Sequence, residues 1–224
     1  MKNTFKLSIL ILAFFSISGI KAQTVNWNAL NHTKHLISLG IGWDYAVAYN
    51  LGYAYKLQTK FPVLLHANVS APAGNKLLDE VKIKTGGQIL LIDQQRIKGG
   101  ISLHAIYRSY QNPLIRLRNF GSEIKGTIGY FAPKWFVAGE IGHDKAIVTR
   151  FSPTDVFRES MYQDTQVGWY DPATGGHVLF GLQTGYSREK FDVTFSIGRV
   201  VQEHFTATPL IPYYVGLTGN YKIK

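Results

Sequence analysis

The feature that most constrains this chain is an alternation of period two that recurs about ten times between residues 36 and 223. A strand sends successive side chains to opposite faces. In 45–57, Tyr45, Val47, Tyr49, Leu51, Tyr53, Tyr55 and Leu57 share one face, while Ala46, Ala48, Asn50, Gly52, Ala54 and Lys56 share the other. The first face is large and apolar; the second is small or polar. The same grammar predicts strands at 36–44, 61–70, 81–92, 97–108, 122–130, 135–142, 178–186, 191–197 and 213–223.

Segments of this length and even number suit tilted strands that cross a bilayer. The expected fold is all-β: an antiparallel, up-and-down transmembrane barrel of about ten strands over 35–224. Composition agrees. Charged residues are only 17%, against roughly 25% in ordinary globular domains, yet mean hydropathy is −0.03. Two-faced strands average out in that way. The connections alternate, with short polar turns at 58–60, 93–96, 131–134 and 188–190 and longer links at 71–80, 109–114, 143–177 and 201–211. A tight first hairpin near Trp43–Tyr45 is the exception among the long ones. Short turns belong on the periplasmic side and long loops outside.

Aromatics test this orientation. Tyr55, Phe61, Tyr130, Trp135, Tyr186, Phe191 and Tyr221 all flank short turns on the apolar face, with Leu91 and Ile97 interrupting them. Rings prefer headgroup depth, so these form a girdle at one interface. Trp43, Tyr107 and Tyr213 are candidates for the other rim. Residues 114–121 break the pattern, because Arg116 and Arg118 fall on the lipid parity. A charge at mid-bilayer costs roughly 2–4 kcal/mol, so this stretch is expected above the membrane, or a bulge near Gly121 switches its register.

At the N-terminus, Lys2 and Lys6 precede an apolar stretch from Ser8 to Ile20, too short to span as a helix. The pattern predicts a cleaved signal peptide over 1–22, mature from Gln23, followed by a periplasmic segment over 23–34. The absence of Cys excludes disulfides and a thiol-linked lipid anchor. Net charge is +10, and three of the lysines lie in the leader, which leaves +7 on the mature chain. These charges are dispersed, so nucleic acid is not an expected partner; outer-membrane lipid and lipopolysaccharide phosphates are.

The inward parity collects His66, Lys82, Lys84, Lys98, His104, Arg108, Glu123, Lys125, Glu140 and Gln183. These are expected to line the lumen, either as ion pairs filling a narrow barrel or as a small anion-preferring pore. Trp169, Tyr170 and Asp171 join aromatic contact groups to turn formers and are the candidates for recognition in the external loop, whose alternative role is a cap on the barrel mouth. A short helix is expected around Pro153–Ser160, capped by Ser152 or Thr154. Ser102 and His104 share the inward face, an arrangement similar to the Ser–His pair of outer-membrane lipid A deacylases, but hydrogen bonding within the lumen is the expected role. His32 and His35 could bind a metal as a pair but have no acid or thiol nearby, and His143, Asp144 and Asp171 at the long loop are expected to be solvated. No catalytic residue, metal or cofactor is expected.

Gly40-Ile41-Gly42-Trp43-Asp44-Tyr45, Gly126-Thr127-Ile128-Gly129-Tyr130, Pro133-Lys134-Trp135-Phe136-Val137-Ala138-Gly139-Glu140 and Pro212-Tyr213-Tyr214-Val215-Gly216-Leu217 carry a resemblance. Over about 35–224 the chain resembles the small outer-membrane β-barrel proteins of the Bacteroidota. It departs from the common terminal aromatic, ending Tyr221-Lys222-Ile223-Lys224. The resemblance implies a Gram-negative outer-membrane location. The expected function is a narrow, porin-like channel for a small solute, or a surface-binding or structural barrel. The alternatives are a lipid- or lipopolysaccharide-modifying enzyme and a secreted soluble barrel holding an apolar ligand.

Overall fold

A computed structural model describes residues 25–30, 32–43, 47–73, 79–160, 164–171, 176–203 and 212–224. The expected signal peptide, the mature start at Gln23 and the tight turn at Asp44–Ala46 lie outside the described residues. The strands are β1 His35–Trp43, β2 Val47–Leu57, β3 Val63–Pro72, β4 Glu80–Gln94, β5 Ile97–Gln111, β6 Ile115–Phe131 and β7 Trp135–Pro153. Helix α1 (Asp155–Ser160) follows, then β8 Gly168–Tyr170, β9 His177–Ser187, β10 Phe191–Gln202 and β11 Tyr213–Ile223.

Consecutive strands pair antiparallel from β1 to β7, then β7 with β9, β9 with β10 and β10 with β11. β11 returns to β1 from His35↔Ile223 to Trp43↔Val215, which closes the barrel. The wall therefore holds ten strands, and closure removes every exposed sheet edge from it. β8 pairs only with the outer part of β7, Thr149↔Tyr170 to Phe151↔Gly168.

Burial along the strands is the reverse of a soluble domain's. Leu39 (65% exposed), Leu103 and Ile141 (61% each) stand on the outside at mid-strand. Lys84, Ser102, Glu123, Lys125, Glu140 and Gln183 are buried inside. This overturns the alternative of a soluble barrel around an apolar ligand, because the greasy faces point away from the axis. Among the girdle aromatics, Trp135, Tyr186, Phe191 and Tyr221 are exposed, and the pairs Tyr130–Trp135 and Phe191–Tyr221 lie 5.3 and 5.0 Å apart, ring to ring.

Two long links are shorter than expected. The 109–114 link shrinks to 112–114, where Asn112 Oδ1 accepts the N–H groups of Leu114 (2.9 Å) and Ile115 (2.8 Å). Strand β7 runs on to Pro153, because β6 and β7 keep pairing beyond the wall as far as Ile115↔Pro153. The expected register switch in β6 does not occur. The bulge sits opposite, in β7: Phe120 pairs with Val148 and Gly121 with Ala146, leaving Ile147 extra. β6 thus keeps one parity throughout, and Arg116 and Arg118 point outward on the extended hairpin. Thr154 caps α1, its Oγ1 accepting the N–H of Phe157 at 3.4 Å.

Candidate functional site

The interior is built in layers. At the short-turn mouth, residues 25–30 fold back into the barrel. Val25, Trp27 and Leu30 are buried among Leu36, Leu64, Leu90, Phe131 and Phe136, and the last two rings stack at 5.1 Å. Hydrogen bonds from polar side chains fix this segment. Asn26 Nδ2 donates to Ala132 O and Ser187 Oγ (3.0 Å each), Asn28 Nδ2 to Phe131 O, and Lys56 Nζ to Leu30 O (2.8 Å). These contacts tie the segment to the carbonyls of the β6–β7 turn and to β2 and β9. The segment expected as a periplasmic lead-in is therefore a plug with its own apolar contacts.

Above the plug the inward residues of β4–β9 form an ion-pair network. Lys84 Nζ donates to Glu123 Oε2 at 2.6 Å, and His104 Nδ1 lies 3.2 Å from Glu123 Oε1. His104 Nε2 contacts His66 Nε2 at 2.9 Å. Next to this group Lys125 Nζ (2.8 Å) and Gln183 Nε2 (2.7 Å) donate to Glu140 Oε2, and Tyr214 Oη donates to Glu140 Oε1. Nearer the outer end Arg108 spans both oxygens of Asp144 (2.5 and 2.6 Å), with Lys82 at 3.6 Å. Lys98 pairs with Asp93 near the short-turn end, and Lys222 with Asp192 at 2.8 Å. Each expected lumen lysine and arginine has a carboxylate beside it. Lys82 and Arg108 share Asp144, so five cations meet four carboxylates, and most of the positive charge on which an anion-preferring pore would depend is neutralised. Glu123 is only 1% exposed. Buried charges are tolerable when paired and further hydrogen-bonded, and losing one partner is the costly event.

Between these groups, β1, β2, β3 and β11 contribute a set of small, mostly uncharged side chains. Ser38, Asn50, His66, Asn68 and Asn220 line a cavity of about 40 Å³ directly beside Val25. Ser38 Oγ donates to Asn220 Oδ1 at 2.7 Å.

Tyr214, Asp144, Asp192 and Lys222 were not among the residues expected to matter from sequence. Tyr214 crosses β10 and β9 to reach Glu140. It can do so because Gly198 and Gly181 lie beneath its ring: a Cβ at either would stand 2.4 Å and 2.3 Å from ring or hydroxyl atoms. Two glycines on the inward parity of adjacent strands were the available signal.

Ser102 and His104 do not form a nucleophile pair. Ser102 Oγ donates to Lys125 O at 3.4 Å, while His104 is engaged by Glu123 and His66. His32 and His35 stay apart in role; His35 Nδ1 contacts Tyr53 Oη at 2.7 Å. His143 and Asp144 diverge, with His143 Nε2 3.3 Å from Glu203 Oε1 and Asp144 bound to Arg108.

At the outer end, Trp169 (53% exposed) and Tyr170 are presented on β8, and Asp171 follows, also exposed. Trp169 packs against Phe120 (6.0 Å) and Arg150, whose guanidinium lies 5.9 Å from the indole. Tyr170 meets Phe151 edge-on at 6.5 Å. Glu203 ties the rim together: it accepts the Gly176 N–H (2.8 Å) and lies 3.1 Å from Lys145 Nζ. The Gly176 amide, then Lys145, hold its carboxyl below the usual range.

No protein-family model matches this chain. No curated protein matches it either. Among solved structures, the KdgM porin and the KdgM porin in complex with disordered oligogalacturonate are similar to it. Each is 8% identical with a TM-score of 0.44, over 84% of this chain and 99% of the porin chain.

Proposed function

We propose that this chain is an outer-membrane β-barrel with a closed resting lumen, acting as a surface-binding or structural protein through its lipid-facing wall and external hairpin. The observation that carries the reading is the inversion of burial. Leu39, Leu103 and Ile141 project outward at mid-strand while Glu123, Lys125 and Glu140 are sealed inside. Water would be a poor solvent for such a wall and hydrocarbon a good one. Paired charges in mid-lumen and an apolar plug of Val25, Trp27 and Leu30 leave no wide path along the axis. A ten-strand barrel is close to the size that side chains can fill.

A narrow channel for a small solute is the second reading. It is favoured by the polar residues Ser38, Asn50, Asn68 and Asn220 around the cavity of about 40 Å³, which Val25, Leu36 and Leu64 also line. Planar-bilayer recording separates the two. The intact chain is expected to insert and give no discrete conductance steps. Stable steps at modest voltage would refute the closed lumen, and recovery of the protein from the medium without detergent would refute the membrane assignment itself. A signal peptide over 1–22 and a Bacteroidota origin belong to the same reading.

A further inference from the structure

The outer face of the β6–β7 hairpin concentrates positive charge that the fold does not use. Arg118 and Arg150 are direct cross-strand partners, and Arg116 is the next residue of β6 on that face. Like charges directly opposite in a sheet are destabilising. No carboxylate of the described residues lies within ion-pairing distance of any of the three. Arg116 Nε donates to Gln111 Oε1 at 2.9 Å, and Arg150 stacks near Trp169; neither contact supplies negative charge. Ser109 and Ser152 flank the arginines in register, Ser109 opposite Arg118 and Ser152 opposite Arg116, and add hydroxyls to the same face.

Height gives the patch its meaning. Phe120 lies ten positions along β6 from the girdle residue Tyr130. At about 3.4 Å per residue and a tilt of about 40°, that is a rise of about 26 Å, the height of a lipid-facing band. Phe120, with Tyr107 at 5.2 Å and Trp169 at 6.0 Å, therefore forms an aromatic row at the outer interface. Arg118, two residues further on, stands about 5 Å above it, where headgroup phosphates lie. The patch faces the surrounding bilayer, not the lumen.

We propose that Arg118 and Arg150, assisted by Arg116, bind the phosphate of a phosphorylated lipid headgroup in the outer leaflet. A phosphate between two guanidinium forks takes parallel charge-assisted hydrogen bonds from both and converts their repulsion into a bridge. Phe120, Tyr107 and Trp169 support the sugar or glycerol part just below. This site rests on the bilayer-spanning reading above, from which it also takes its choice of a lipid over free phosphate.

The test uses the full chain refolded in bicelles, with bound lipid counted by native mass spectrometry. The probes are diphosphoryl lipid A, the same lipid with its phosphates removed, and inorganic phosphate. The expected result is retention of the phosphorylated lipid only. Binding should be at least about tenfold weaker for R118A/R150A and intermediate for R118K/R150K. Equal retention by R118A/R150A would overturn the site. So would equal retention of the dephosphorylated lipid, or displacement by inorganic phosphate at matched concentration. Insertion of the unmutated chain into phosphate-free vesicles is scored separately; failure there would overturn the bilayer reading as well as the site.

Discussion

Replacing Leu103 by Arg tests the membrane wall by the sign of its effect. Leu103 is at mid-strand on the outer face, 61% exposed, six residues from Ile97 at the short-turn end and four from Tyr107 near the outer rim. Those spacings put it about 16 Å above the lower girdle, near the centre of the lipid-facing band. If water bathed that face, Arg would be within about 0.5 kcal/mol of neutral, as surface substitutions usually are. In a bilayer the same change costs about 2–4 kcal/mol at the midplane and about 0–1 near an interface. L103R should therefore lower the folding equilibrium constant in vesicles by about 30- to 800-fold, and I97R by less than about sixfold. The assay is urea titration of refolding into phosphatidylcholine vesicles, followed by tryptophan fluorescence and by the heat-sensitive gel shift of an intact barrel. Equal stabilities for L103R, I97R and the parent chain would refute the reasoning, because the cost has no source other than the depth of hydrocarbon.

Within the lumen, E123A leaves Lys84 buried beside no carboxylate and should cost about 3–5 kcal/mol, whereas K84L/E123L together should cost far less; urea midpoints compare them. Gly198 and Gly139 should differ sharply on substitution by Leu. A Cβ at Gly198 stands 2.4 Å from Phe180 O and from the Tyr214 ring, so G198L should abolish the folded band of unheated samples on gels. At the outward Gly139, beside a concave apolar groove of about 690 Å³, the nearest atom is 3.9 Å away, and G139L should fold normally. Glu203 links rim stability to pH. Because its folded carboxyl is held below the ordinary value, the clamp on Gly176 is fully present above about pH 4.3 and is lost as pH falls through the lower folded value. Hydrogen-exchange protection of the Gly176 amide should drop over that acid range in the parent chain and be absent at all pH values in E203A.

The alternation of side chains alone determined which segments become strands, how many the wall contains and which face of each is apolar. A period of two leaves no other regular structure that separates Tyr49, Leu51 and Tyr53 from Asn50 and Gly52. It placed His66, Lys84, Glu123, Lys125, Glu140 and Gln183 on one side, but parity is a property of single strands. Partners across several strands depend on register and curvature, so the link from Tyr214 over β10 and β9 to Glu140, and that from Arg108 over β6 to Asp144, appear only once the neighbouring strands are paired. The plug was illegible for a related reason. Val25, Trp27 and Leu30 have no strand periodicity, and their burial depends on the ring of Phe131, Phe136 and Leu36 that the closed barrel supplies. Arg116 and Arg118, on the lipid parity, left two choices in the sequence, a stretch above the membrane or a register switch near Gly121; the unbroken parity of β6 and its pairing with β7 out to Pro153 decide for the first. Local pattern sets the direction of each side chain; only the pairing of strands sets its neighbour and its depth.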